Sequence, residues 1–308
     1  MKRSNEQPER AFLLAGAARD NGHTLVQTQD FGAAPRAAIH TPEYLRFLAT
    51  AWERWQALDD ASDEVTPNVH PFPGQPCTYP DSLVGQAGYH MGDMACSIGQ
   101  HTWNAAVWSA HAATHAAALV LEGERATYAL CRPPGHHAYA DRANGFTYLN
   151  NAAIAAQYLR RQHPRVAILD VDVHHGNGTQ GIFWRRSDVL TLSLHGDPHF
   201  CTPFFTGHAH ERGEGEGLGY NLNYPLARGT GTDDYLHALA RACQAIRDFQ
   251  PGALVVALGL DAHERDPYKA LAVSTEGFAR ITGEIARLGL PTVFVQEGGY
   301  LSPDLPLN

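Results

Sequence analysis

Short apolar runs at 126–130, 166–169, 189–194, 222–226, 254–258 and 292–295 punctuate the second half of the chain. Runs of this length, closed by turn or charged residues, read as buried strands. Helical periodicity fills most of the intervals, at 150–162, 179–185, 233–249 and 275–288. Strand and helix in alternation predict a parallel sheet with helices on both faces. No internal repeat or low-complexity segment interrupts the pattern.

The first half reads differently. Residues 8–20 are amphipathic, and a short strand is predicted at 24–26. Thr41 is the expected N-cap of a second helix, with Pro42 at its first position. That helix runs to about residue 58 and carries Tyr44, Leu45, Phe47, Leu48, Trp52 and Trp55 on what reads as a core face. From 59 to 80 the pattern breaks. Pro67, Pro71, Pro73, Pro76 and Pro80 with Gly74 predict a long irregular loop, which in a compact domain is either functional or a solvated connector. The Ala-rich stretch 103–121 predicts a buried helix.

Polar residues collect where the predicted strands end, which is where parallel sheets bind ligands. Arg132-Pro133-Pro134-Gly135-His136-His137 follows the first strand. Ser193-Leu194-His195, Gly259-Leu260-Asp261-Ala262-His263 and Gln296-Glu297-Gly298-Gly299-Tyr300 close others. The densest group, Asp170-Val171-Asp172-Val173-His174-His175-Gly176-Asn177, follows 166–169. Alternation along an extended backbone puts Asp170, Asp172 and His174 on one side. Two carboxylates and an imidazole suit a divalent ion of the zinc type, and the glycines let the backbone turn beside it. The competing reading is a loop whose acids cap the next helix and whose histidines are solvated. Several strand ends aimed at one rim weigh against it.

Composition narrows the partners. The 308 residues are 44% hydrophobic and 18% charged, as in an ordinary globular protein. A net charge of −9 argues against a nucleic-acid partner. The 18 histidines fit metal chemistry. Cys77, Cys96, Cys131, Cys201 and Cys243 show no Cys-x-x-Cys spacing, which predicts reduced thiols and a cytoplasmic setting. No apolar run reaches the ~18 residues of a membrane span, and residues 1–6 lead into no signal-type apolar core.

Together, Arg132-Pro133-Pro134-Gly135-His136-His137, Gly145-Phe146 with Asn150-Asn151, Asp170 through Thr179, Leu194-His195-Gly196-Asp197, Gly259-Leu260-Asp261 with Asp266-Pro267, and Glu297-Gly298-Gly299-Tyr300 resemble the motifs of the histone deacetylase and acetylpolyamine amidohydrolase family. The resemblance runs from about residue 40 to 301, in that family's order. It implies the arginase/deacetylase-like fold: α/β, three layers, a mostly parallel central sheet with helices on both faces, in one domain spanning 1–308. Ser193 through Pro198, the Pro-rich stretch before Gly85-Gln86-Ala87-Gly88-Tyr89, and Ile98 through Trp103 are most similar to the bacterial acetylpolyamine branch. In that branch an inserted loop, here at about 59–85, implies a homodimer and a narrowed active-site mouth.

The implied reaction is zinc-dependent hydrolysis of the acetamide of a small acetylated polyamine to acetate and free amine. Asp172, His174 and Asp261 resemble the ligands of one zinc ion per chain. His136 and His137 resemble the tandem histidines that move the proton, with Asp170 orienting the first and Asn177 the second. An Asn partner should lower proton affinity relative to an Asp. Tyr300 resembles the oxyanion donor. Gly145, Phe146 and Phe205 resemble the tunnel wall. The main-chain carbonyls of Asp170, Asp172 and His174, with Ser193 and Leu194, resemble a structural potassium site. Carboxylates at the mouth would favour a polyamine's ammonium groups. Asp81 and Asp93 are the candidates, with Asp93 preferred.

The family usually has a strand and loop before the 8–20 helix and a helix after the tyrosine segment, and this chain is expected to lack both. Three competing readings stay open. One is deacetylation of acetyl-lysine in proteins or peptides. Another is dimanganese ureohydrolase chemistry, whose bridging acids are replaced here by Gly176 and His263. The third is a binding module without catalysis, opposed by the intact ligand and proton-transfer positions.

Overall fold

In the computed structural model, which describes residues 4–308, five helices precede the first strand. They are α1 (Glu9–Asp20), α2 (Ala34–Ala37), α3 (Pro42–Gln56), α4 (Leu83–His90) and α5 (Thr102–Leu121). Strand β1 (Ala126–Ala129) then opens an alternation: α6 (Asn151–Leu159), β2 (Val166–Asp170), α7 (Asn177–Phe183), β3 (Val189–Gly196), β4 (Asn221–Leu226), α8 (Thr232–Phe249), β5 (Ala253–Leu258), α9 (Thr275–Ala286) and β6 (Thr292–Gln296). The strands form one sheet in the order β1-β6-β5-β2-β3-β4. Every neighbouring pair is parallel.

Strand alternation divides the apolar residues between two cores. On β2, Val166 and Ile168 face one core, and Ala167 and Leu169 the other. On β5, Val255 faces the first, and Leu254 and Val256 the second. Helices α3, α4, α5 and α6 cover the first face. Ala106, Ala110, Ala113 and Ala117 put small side chains along the buried stripe of α5. Helices α8 and α9, with Leu14 of α1, cover the second. Both faces of the central strands are thus buried, as a parallel sheet requires.

Side-chain caps set several helix starts. Thr41 Oγ1 accepts from Tyr44 N, with Pro42 at the first position of α3. Ser274 Oγ accepts from Gly277 N at the start of α9. Ser82 Oγ accepts from Gly85 N, and this cap starts α4 inside the last residues of the stretch expected as loop. The rest of that stretch is irregular, apart from one bridge between Val65 and Ile98. It is tied back at several places. Trp52 Nε1 donates to Asp63 O. A Cβ on Gly88 would stand 1.8 Å from Val69 O, so the loop lies directly on the α4 backbone.

The strand expected at 24–26 does not form. Its segment is irregular and joins no ladder, and Leu25 and Val26 stay exposed. A β-rich tripeptide without a neighbouring edge gains neither hydrogen bonds nor burial. All five cysteines are free thiols, as expected. No helix among the described residues is long and apolar enough to cross a membrane.

The two-core arrangement gives a direct test. Ile246 of α8 is fully buried in the second core, whereas Leu218 is 65% exposed. Ile246→Ala should lower the unfolding free energy by about 2–5 kcal/mol. Leu218→Ala should change it by no more than about 0.5 kcal/mol. Urea denaturation of both variants checks the contrast.

Candidate active site

Beyond the end of β2 the chain is pinned by its own side chains. Asp170 Oδ1 accepts from Asp172 N at 3.0 Å, and Asp172 Oδ1 from His174 N at 2.8 Å. The alternation expected from an extended run does not continue past Asp170: the chain bends at Asp172, Val173 and His174. These two carboxylate–amide bonds, each to the residue two positions on, are turns that fix the bend. From the end of β5, Asp261 Oδ1 accepts from Val173 N at 2.9 Å. His174 Nδ1 then lies 3.1 Å from both Asp172 Oδ1 and Asp261 Oδ2. One ligand atom from each of Asp172, His174 and Asp261 falls within 4.8 Å of the others.

This group fits a divalent cation. All three side chains are buried, and Asp261 Oδ2 accepts no well-formed hydrogen bond despite its depth. Two buried carboxylates sharing one imidazole are short of positive charge. Oxygen, oxygen and nitrogen donors with room for further ligands suit catalytic zinc. Glycines make the room. A Cβ at Gly298 would stand 2.2 Å from Asp261 Oδ2 and 2.5 Å from Asp172 Oδ2, and one at Gly259 2.2 Å from Asp172 Oδ2. Gly298 N also donates to Asp172 Oδ2 at 2.7 Å.

The tandem histidines sit beside this group on the loop after β1, their ring centroids 4.1 Å apart. His136 Nδ1 donates to Asp170 Oδ2 at 2.9 Å, and His137 Nδ1 to Asn177 Oδ1 at 2.7 Å. Burial opposes charge on His136, but Asp170 and Asp172 outweigh it and raise its pKa to about 10. Burial, then the positive neighbours His136 and His174, hold His137 well below the usual histidine range. The surroundings thus bias the pair in opposite directions, His136 toward its charged form and His137 toward its neutral form.

Tyr300 faces the same space and is 4% exposed. Its amide donates to Asp266 Oδ2 at 3.0 Å, and the Arg10 guanidinium lies 5.0 Å from its ring centroid. Burial and the nearby Asp261 carboxylate push its hydroxyl pKa well up, so it remains a proton donor. Phe146 meets its ring edge-on at 6.3 Å. Tyr268 lies 5.1 Å from Tyr300 and 4.8 Å from His174, ring to ring.

These residues line a cavity of about 110 Å³. Asp93, Gly145, Phe146, His136, His137, His174 and Tyr300 border it. Asp93 Oδ2 also accepts from Gly145 N at 3.0 Å, fixing the turn before Phe146. Gly145 has φ +52, and a Cβ there would strike the His137 ring at 2.5 Å. Asp81 is exposed away from the cavity.

Phe205 does not form a wall. It is 88% exposed and absent from the lining, where Thr202 and Pro203 stand instead. The backbone turns through φ +65 at Phe204, which puts the preceding pair against the cavity and leaves both phenylalanines in solvent. Tyr268 supplies the missing aromatic surface, and nothing in its local sequence marks it. Arg10 and Asp266 were also missed as supports, although each carries a signal. Arg10 precedes Leu14 by four residues on the buried side of α1, and Asp266-Pro267 is part of a motif.

Comparison with known proteins agrees with this geometry. Residues 4–306 match the histone deacetylase domain family. The chain is 48% identical to the acetylpolyamine amidohydrolase of Burkholderia pseudomallei, over 100% of its own length and 90% of that relative. It is 45% identical to acetylpolyamine amidohydrolase 1 of Pseudomonas aeruginosa, over 98% and 88%. A crystal structure of the acetylpolyamine aminohydrolase from Burkholderia pseudomallei superposes with a TM-score of 0.96, covering 100% of this chain and 89% of that one. By sequence, fold and full-length coverage, the chain belongs to the histone deacetylase family.

Proposed function

We propose that this protein hydrolyses the acetamide of acetylated polyamines to acetate and free amine, with one zinc ion per chain. One observation carries the chemistry: Asp172, His174 and Asp261 converge beside a cavity that His137 and Tyr300 also line. The names of the full-length relatives support the substrate class.

When bound, zinc supplies Lewis acidity toward the acetamide carbonyl and the attacking water. His137 is the general base: its neutral ring takes the water proton and returns it to the leaving nitrogen. Asn177 fixes the tautomer by accepting from Nδ1, which leaves Nε2 as the basic atom. His136, charged and held by Asp170, lends positive potential beside the reacting carbon. The Tyr300 hydroxyl donates to the carbonyl oxygen as negative charge grows there. Phe146 and Tyr268 give the aliphatic chain an apolar passage. Asp93 at the mouth attracts a distal ammonium group.

Further parts of the reading follow from the resemblance. The carbonyls of Asp170, Asp172 and His174, with Ser193 and Leu194, hold structural potassium. The enzyme works in the cytoplasm as a homodimer, with the 59–85 loop at the interface. Exposed Val69 and Phe72 on that loop support the interface.

The primary test is steady-state turnover of acetylputrescine, acetylspermidine and an acetyl-lysine peptide by zinc-loaded protein. Acetylpolyamines should be preferred, and Tyr300→Phe should lower kcat about 10²–10³-fold by removing one oxyanion donor. A peptide preference would keep the chemistry and transfer it to acetyl-lysine.

The histidine assignment predicts a pH effect. A base that must be neutral loses activity as pH falls through its pKa. Asn177→Asp places a carboxylate on His137 and raises that pKa. The acidic limb of kcat/KM against pH should therefore move to higher pH. Asp93→Asn should raise KM for acetylspermidine about fivefold relative to that for a neutral acetamide, the scale of one exposed ion pair, since any loosening of the Gly145 turn acts on both substrates alike. Initial rates on both substrates check this.

A further inference from the structure

Beyond the residues that face the cavity, one fully buried acid joins two of its loops. Glu297 stands three residues before Tyr300, on the loop after β6, and is 0% exposed. Its Oε2 accepts from Gly135 N at 2.6 Å and from His136 N at 3.0 Å. These are the backbone amides leading into the tandem histidines, on the loop after β1. Strands β1 and β6 are neighbours, but their ladder ends at the pair Ala129 and Val295. Beyond that point this carboxylate continues the connection.

The far side of Glu297 is fixed as well. Its amide donates to Leu258 O at 2.8 Å, and its carbonyl accepts from Arg10 Nη2 at 2.6 Å. Arg10 Nε also donates to Gly299 O. The anchor is thus rigid on the Tyr300 side, and the side chain reaches across to the histidine side. Its second oxygen, Oε1, is buried without a partner. Leaving a buried carboxylate oxygen unsatisfied costs stability. An apolar residue would avoid that cost but could not accept from the two amides.

We propose that Glu297 is a positioning residue: it sets the register of His136 and His137 against Tyr300 by accepting from the Gly135 and His136 amides. The idea rests on the reaction assigned above, in which those two loops supply the proton shuttle and the oxyanion donor. It concerns reach and hydrogen-bond acceptance, not charge.

The test compares Glu297→Gln, Glu297→Asp and Glu297→Ala at equal zinc content, on whichever acetamide the wild type turns over fastest. An error in substrate class therefore leaves the comparison intact. Gln keeps the length and an acceptor oxygen but loses the charge. Asp keeps the charge but is one methylene short. The expected order of kcat is wild type, then Gln within about fivefold, then Asp and Ala lower by about 100-fold, the scale of a 1 Å misplacement, with KM little changed. Hydrogen exchange at the Gly135 and His136 amides, read without substrate, should remain slow in Gln and become fast in Asp and Ala. Asp outperforming Gln would make charge the operative property and overturn the proposal. So would full activity in Ala, or amide protection unchanged across the series.

Discussion

Asp172 and Asp261 bring two carboxylates together in an interior that excludes water, and much of the structure exists to make that tolerable. Their oxygens accept from the amides of His174, Val173 and Gly298. Those amides come from the ends of β2 and β6, and Asp261 itself from the end of β5. A parallel sheet delivers this naturally, because its strand ends all point to one rim. The two apolar cores then fix the rim from below. Any tilt of β2 against β5 would separate the like charges from the donors that offset them.

The same economy appears in the histidine pair. The two rings are adjacent and equally deep, yet their surroundings bias them toward different charge states. The carboxylates of Asp170 and Asp172 raise His136 against its burial, whereas burial and the positive His136 and His174 lower His137. Neighbouring imidazoles repel when both are charged, so charging one helps keep the other neutral.

Much of this was legible in the chain. The strand and helix alternation gave the sheet within a residue or two at most boundaries, because continuous Val/Ile/Leu runs admit few other placements. The site residues at strand ends were legible because several short motifs had to share one rim. What escaped depends on the path of loops. Phe205 matched by order in the sequence, but a left-handed turn at Phe204 sends it outward. Tyr268 reaches the cavity from an irregular segment with no periodicity to read. The strand expected at 24–26 failed for want of a partner edge. The abundance of histidine was a poor guide by itself. His40 accepts from Asn150 N, His90 bonds Asp141 O and His195 bonds Gly207 O, so several of these rings serve as internal struts.

The glycines around the carboxylates carry one more consequence. At Gly298, Gly259 and Gly176 a single added carbon would overlap an acid oxygen at 2.2 Å. The cradle is therefore shaped by missing side chains, and the smallest addition at any of the three already collides. Thr202, Pro203, Tyr268 and Asp93 stand farther out, where a changed side chain meets solvent or substrate. A lineage descending from this sequence has little freedom to alter the bond it breaks and considerable freedom to alter the molecule it accepts. Diversity in such enzymes should accumulate along the passage and leave its floor unchanged.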